Sequence, residues 1–501
     1  MTRWEQLGTP SSHWTTALAD NAYTSALVGL FFVQLFVALT FPLTADELYY
    51  WTWTHDLQWS YYDHPVMVAI WMWISTSIFG DNTFAIRIPA IVATLTIMWT
   101  LGKLCRHKSV LFFVLGTPIV LLLSVIHTPD IPLLFFWTLY LFWLAHANSA
   151  YRNWTDDPLN RVYHQMPVPV FHWGFGGILL GLGMLSKYTM VFACLATICL
   201  FIFHYQLRSW LLGMVVHLAT AAIVSLPILI YNWNHDFIPL AFQWNHGMGG
   251  GGATFSHFWN FLGGQFLLVG LLPFLLLPWV LIRTKRILQS PMIQPCYYFF
   301  LLPFLFFMLI SFRGTVEGNW PIIAYIGFWP IAQMFLQQNS FALLSRSLYL
   351  LSFGPPLVAT LIILVHNFYP LEIIPPSKDR LGKIKEKHSI SEEISADVRK
   401  LGENQLVFLP TYQWTAYFRF HKINAEQLYP SGRQSHFTMN PKPVCDEQTA
   451  LVLEEGEHRD NVLNCFKSRT VIKSYPFIVR DEIERTVYLT RYGKEAPTEP
   501  L

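Results

Sequence analysis

Long apolar runs separated by short polar connections fill the first 369 residues. A membrane-spanning helix needs about 20 mostly apolar residues. Runs meeting that pattern lie at 22–42, 84–101, 109–126, 131–147, 172–186, 188–206, 210–231, 263–282, 296–312, 320–336 and 347–367. The run 66–79 is too short to cross on its own and predicts an interfacial helix or half of a re-entrant pair. The count is therefore about 11–13 transmembrane helices. Beyond residue 370 the pattern changes. Strand-like runs (NQLVFLP, TALVLEE, RTVIKSYPFIV, RTVYLTRYG) alternate with helical ones (SISEEISADVRKLG, TYQWTAYFRF), which predicts a small α/β domain. The chain reads as an α-helical polytopic membrane domain, 1–369, followed by an α/β domain, 370–501.

Charge sharpens this division. Of 501 residues, 53% are hydrophobic and only 13% charged, yet residues 370–501 hold 19 of 33 Lys+Arg and 19 of 31 Asp+Glu. The tail has the composition of a water-soluble domain. A net charge of +2 gives no case for nucleic-acid binding. The apolar run Ala26 to Phe41 lacks a small-residue cleavage site and reads as a retained first helix. With the N-terminus inside, the inner connections carry Lys103, Arg106, Lys108, Arg152, Arg161, Arg208, Arg283, Lys285, Arg286 and Arg346, against Arg87, Lys187 and Arg313 outside. That asymmetry satisfies the positive-inside rule. An odd number of spans then places residues 370–501 outside the cytoplasm, on a multi-pass protein of the cell's inner (plasma) membrane. Cys445 and Cys465 both fall in this outer domain, where a disulfide can persist, although spacing alone cannot show that they meet.

The same assignment gathers acids on the outer face: Asp46, Glu47, Asp56, Asp63, Asp81, Asp130, Asp236 and Glu317. Charge near a bilayer is costly and tends to be functional. Asp46 and Glu47 open a stretch rich in rings that includes Tyr49, Tyr50, Trp51, Trp53, Tyr61 and Tyr62. Acids among rings suit sugar binding, though aromatic belts are common at membrane interfaces. Asp63-His64 and His127/Asp130 pair carboxylate with imidazole, and His246 sits in the loop 232–262. Such donors suit a divalent metal, but no HExxH or CxxC spacing supports one. Gly249 to Gly252 in that loop fit a mobile lid or a plain linker. SGRQSHF, at 431–437, reads as a solvated loop. Neither a nucleotide-binding glycine motif nor a P-loop occurs, so no nucleotide cofactor is expected.

In order, D-E-x-Y-Y-W, Y-Y-D-H-P, G-D-x5-R, T-P-D-x-P-L, L-S-K-Y-T, F-Q-W-N-H-G and R-G-x-V-E-x-N-W-P run from about residue 40 to 330. This set resembles the bacterial polyprenyl-phosphate-sugar-dependent GT-C glycosyltransferases, related to the protein O-mannosyltransferases and the lipid A aminoarabinose transferase. The resemblance implies an inverting hexosyl- or pentosyltransferase. Its donor would be a polyprenyl-phosphate sugar, and its acceptor an extracytoplasmic glycolipid such as lipid A, another glycan or a protein. It implies catalytic roles for Asp46, Glu47 and Asp130, with Asp46 as the base. It implies substrate contacts from Tyr61, Tyr62, His64, Arg87, Lys187, Tyr188, Arg313 and Glu317, with Arg87 and Lys187 at the lipid phosphate. It also implies a divalent metal ion on Asp63 and His246. His64 stands where the aminoarabinose branch has lysine, and RGTVEGNWP replaces a lysine-containing segment, so aminoarabinose itself is not implied. The competing class is a lipid-linked-sugar transporter or flippase. It would place its charges near the bilayer midplane and show internal repeats; here the charges gather at one face and no repeat is evident.

Overall fold

A computed structural model of the chain describes residues 13–105, 125–156, 168–248, 255–338, 342–402, 405–456 and 460–495. The expected span at 109–126 and the run Gly249 to Gly252 lie outside the described residues. Helices α1 (His13–Thr40), α4 (Thr83–Cys105), α5 (Asp130–Asp156), α6 (Val170–Met184), α7 (Val191–His204) and α8 (Leu207–Asn234) begin the bundle. Short helices α2 (Ala45–Thr52) and α3 (Met67–Phe79) lie between α1 and α4, and α9 (Ile238–Met248) follows α8. The bundle continues with α10 (Phe255–Val269), α11 (Leu272–Ile282), α12 (Gln294–Ile310), α13 (Ile322–Gln338) and α14 (Ala342–Phe368).

Apolar residues point both ways. One set, including Trp137, Tyr140, Phe299, Phe300 and Phe328, forms the core. Another, including Phe32, Phe36 and Leu39 of α1 and Ile223 and Leu229 of α8, lies exposed, as a lipid-facing surface requires. Among the described residues four helices are long and apolar enough to cross a membrane alone. The run 263–282 is not one straight span. Its helices α10 and α11 meet at 103°. Gly270, at φ +76, makes the turn, and Pro273 stands at the start of α11. Helices α6 and α8 approach closely because Gly177 and Gly181, four residues apart, leave room. A Cβ at either would strike the backbone carbonyl of His217 or Ala221. This is the small-residue packing of membrane helices; α6 ends at Met184, three residues before Lys187.

The C-terminal domain contains α15 (Arg380–Leu401), β1 (Val407–Leu409), α16 (Tyr412–Phe420), β2 (Ala425–Gln427), β3 (Thr449–Glu455), β4 (Ser468–Val479) and β5 (Glu482–Gly493). The strand order is β2-β1-β3-β5-β4, with β1 parallel to β2 and β3, and β5 antiparallel to β3 and β4. One face buries Ile390, Ile394, Trp414 and Phe418 against Leu451, Leu453 and Leu489. The other holds Phe408, Val452 and Phe466, beside a Cys445–Cys465 disulfide with Cα atoms 5.9 Å apart. The domain sits on the segment after α1: Tyr417 donates from its hydroxyl to Leu43 O at 3.0 Å.

Peptide mapping without reductant should recover Cys445 and Cys465 in one cross-linked peptide. Closing a loop of this length contributes about 3 kcal/mol in the chain-entropy account. The Cys445→Ala/Cys465→Ala protein should therefore unfold at lower denaturant, as followed by proteolysis of the C-terminal domain.

Candidate active site

The site is built on the turn from α1 into α2. Thr44 caps α2: its hydroxyl accepts from Glu47 N at 3.2 Å, and Glu47 Oε2 accepts from Thr44 N at 2.9 Å. This capping box sets the helix so that two neighbouring acids diverge. Glu47 turns inward and is fully buried. Arg87 of α4 grips both its oxygens, Nε and Nη2 each at 2.7 Å. The other guanidinium hydrogens go to the carbonyls of Ala38, Phe41 and Pro42 at 2.8, 2.8 and 2.9 Å. All five donors of Arg87 are thus used. His127 N also donates to Glu47 Oε1 at 3.2 Å. Two expectations are corrected here. Arg87 has no hydrogen left for a lipid phosphate, and Glu47 is closed to substrate; the pair is a structural lock.

Asp46 turns the other way. It is open to solvent and receives a hydrogen bond from Tyr412 Oη of α16 at 3.0 Å. Its surroundings are largely protein, and burial raises its pKa against the opposing pull of Tyr412 and Arg433. An accessible carboxylate of raised basicity is the form a general base takes.

On a second side stands Lys187, just beyond α6. Its Nζ donates to Asp130 Oδ1 at 2.7 Å, and Asn319 Nδ2 donates to Asp130 Oδ2 at 2.8 Å. Both oxygens of Asp130 are engaged, so it orients Lys187 rather than standing free as a base. Lys187 keeps two ammonium hydrogens uncommitted among the described residues.

The third side is Asp63, 4% exposed. Arg433 Nη2 donates to its Oδ1 at 2.5 Å, Tyr49 Oη donates to its Oδ2, and Gln243 donates to its backbone oxygen. Burial pushes its pKa up to about 6, while Arg433 and Tyr49 draw it back toward the charged form. Tyr62 Oη donates to Gln434 Oε1 at 3.2 Å, and His436 N donates to Tyr49 Oη at 2.6 Å. SGRQSHF is therefore a docked loop, held through Gln434 and His436, whose Gly432, Arg433 and Gln434 remain exposed. His64 lies between the cations: burial, and then Lys187, Arg433 and His246, hold its pKa well below the imidazole range, so it is neutral.

The remaining expected residues divide. Tyr61 is fully buried, stacked on Trp53 at 4.1 Å, its hydroxyl donating to Trp53 O and Asp56 O; it supports the loop and does not face substrate. Tyr188 is half-buried, with its hydroxyl 3.4 Å from Asn232 Nδ2. Glu317 is exposed and close enough to His246 to raise its pKa, though burial and Arg433 lower it more. Arg313 is exposed, and its guanidinium bonds to none of these residues. His246 packs on Phe242 and Trp320 and has no bond to Asp63. Both Asp63 oxygens are already taken, one by a guanidinium, and among the described residues no group of three or more His, Cys, Asp and Glu could hold an ion. The donor set does not fit a divalent metal. Sequence reasoning missed Arg433, Gln434 and Tyr412, which reach the site only through tertiary structure, and gave no role to Gln243 and Asn319, although both stand in the motifs F-Q-W-N-H-G and R-G-x-V-E-x-N-W-P.

Glu47→Gln leaves a buried guanidinium facing a neutral amide. Breaking a buried pair costs about 3–5 kcal/mol. The variant should melt at clearly lower temperature in detergent, and Arg87→Lys, which loses the fork, should do the same. A melting temperature unchanged in both variants would remove the lock.

The sequence profile of the family described as dolichyl-phosphate-mannose-protein mannosyltransferase matches residues 63–156. The chain is 25% identical over 393 residues to the lipid A galacturonosyltransferase RgtD of Rhizobium johnstonii, covering 74% of this chain and 76% of that protein. Its fold is that of ArnT from Cupriavidus metallidurans. Against the apo structure the TM-score is 0.59 at 12% identity, covering 94% of this chain and 98% of that one. Against the structure bound to undecaprenyl phosphate it is 0.58 at 12% identity, covering 96% and 98%. The ordered motifs and these likenesses converge: the chain has the fold of ArnT and is similar over three quarters of its length to a lipid A glycosyltransferase.

Proposed function

We propose that the protein transfers a sugar from a polyprenyl phosphate to a glycolipid acceptor of the lipid A type, outside the cytoplasm, with inversion at the anomeric carbon. The observation that carries this reading is Asp46: a solvent-open carboxylate, held by Tyr412, beside a neighbour wholly committed to structure. Support for the substrates comes from relatives. One is a lipid A galacturonosyltransferase, and a protein of the same fold has been solved with undecaprenyl phosphate. The Lys/Arg asymmetry supports a cytoplasmic N-terminus and an outer C-terminal domain.

In this mechanism the acceptor hydroxyl gives its proton to Asp46 as its oxygen attacks the anomeric carbon. The bond from that carbon to the phosphate oxygen breaks with its electrons moving to the phosphate. One displacement inverts the centre. Lys187, held by Asp130 and Asn319, offsets the charge growing on the leaving phosphate. His64 stays neutral and adds no charge. The activated lipid carries the driving force, so no nucleotide is consumed.

Asp46→Asn should lower kcat by roughly a hundred- to ten-thousandfold with donor binding retained; near-normal turnover would reject Asp46 as base. Because the Asp46 pKa is raised above its ordinary 3.8, the base is lost as pH falls through that raised value. The acid limb of kcat/KM should therefore lie above the usual carboxylate range. Lys187→Ala should weaken use of the donor more than of the acceptor, read as the ratio of the two KM changes.

A further inference from the structure

Two arginines anchor acids in this site, and they are used differently. Arg87 is fully buried, and every hydrogen it owns is bonded. Arg433, from the outer domain, has a side chain 48% exposed. Its bonds are to Asp63 at 2.5 Å and a long one from Nη1 to Tyr412 Oη at 3.5 Å. Three of its five hydrogens have no partner among the described residues. The guanidinium is nonetheless held in place. It lies over the rings of Phe242 at 5.1 Å and Tyr412 at 5.2 Å. Its backbone oxygen accepts from Gln427 Nε2 at 2.8 Å. Gly432, at φ +67 and with a would-be Cβ 2.8 Å from Pro410 O, makes the tight turn before it. The flanking residues are pinned through Tyr62 and Tyr49.

A staple between domains would be expected to look like Arg87: buried and saturated. A fixed, half-open guanidinium with free donors, bonded to the same Tyr412 hydroxyl that holds Asp46, is an anion receptor. We infer that Arg433 binds an oxyanion of the lipid-linked donor, so that a guanidinium from the C-terminal domain supplies the positive charge on Asp63 that a divalent metal would otherwise bring. The oxyanion is the donor's phosphate or a carboxylate on the sugar; both fit a planar fork of N–H donors. This rests on the glycosyl-transfer reading given above.

The test uses the full-length protein in nanodiscs, with undecaprenyl phosphate as the probe and binding measured without turnover. Arg433→Ala should weaken its binding roughly ten- to hundredfold, with partial recovery in Arg433→Lys or on adding guanidinium ion. If the oxyanion is a sugar carboxylate, undecaprenyl phosphate binding is unchanged, and the KM for a uronic-acid donor rises by a similar factor while that for a neutral-sugar donor does not. Asp63→Asn separates receptor from staple. It breaks the ion pair but leaves the guanidinium, so a receptor still binds the oxyanion, whereas a staple fails in both variants alike. Wild-type turnover should withstand chelation. The inference is overturned if Arg433→Ala alters neither binding nor the donor KM, if it and Asp63→Asn lose binding together, or if chelation abolishes activity and a divalent ion restores it. Wild-type protein that binds no polyprenyl phosphate and transfers no sugar would instead sink the glycosyl-transfer reading itself.

Discussion

The Glu47–Arg87 pair holds the site together. A carboxylate and a guanidinium removed from water lose several kcal/mol of hydration each. They are stable only because every lone pair and hydrogen finds a partner: both Glu47 oxygens, five Arg87 hydrogens, the Thr44 cap and His127 N. Those partners come from the end of α1, the start of α2, the outer part of α4 and the segment before α5. One ion pair thereby ties together four elements, beside the apolar cluster of Val37, Ala38, Ile91 and Val125 that packs three of them. Asp46 inherits its position from this lock, being one residue away on the same short helix.

Around that fixed point the protein divides three carboxylates by environment. Asp130 is neutralised by Lys187 and Asn319, Asp63 by Arg433 and Tyr49, and Asp46 alone keeps an accessible oxygen with a single hydroxyl donor. In the proposed reaction Lys187 would meet the developing phosphate charge and Asp46 would accept the proton. The division also explains why the C-terminal domain is docked as it is. Tyr412, Arg433 and Gln434 all reach across to the membrane domain, so the catalytic end is completed by both parts of the chain.

Much of this was legible in the sequence. Apolar runs of spanning length marked most helices because lipid leaves the backbone no other way to satisfy its hydrogen bonds. The run TALVLEE became β3, and TYQWTAYFRF became α16, since period and composition act locally. Cys445 and Cys465, the cysteine pair of the C-terminal domain, proved to be bonded. The three-residue strand β2 was not read, being too short to show a period, and the bend between α10 and α11 was hidden in a continuous apolar run.

Roles were harder to read than places. Composition set Asp46 and Glu47 side by side as equal candidates. Successive residues on a helix point about 100° apart, so here Glu47 faces the core while Asp46 is exposed, and only the packed partners decide which. Arg87, expected at the lipid phosphate, is spent on structure, and Arg433, expected in a solvated loop, reaches Asp63, for the same reason. An arginine's function depends on how many of its five hydrogens are already taken, and those partners lie 40 to 49 positions away for Arg87 and 370 for the Asp63 bond of Arg433. The sequence by itself determined a bundle of apolar helices, a C-terminal α/β domain and a cluster of acids among rings. The tertiary structure decided which charges are spent on holding the fold and which remain for substrate, because hydrogen-bond saturation depends on neighbours in space that no local pattern records.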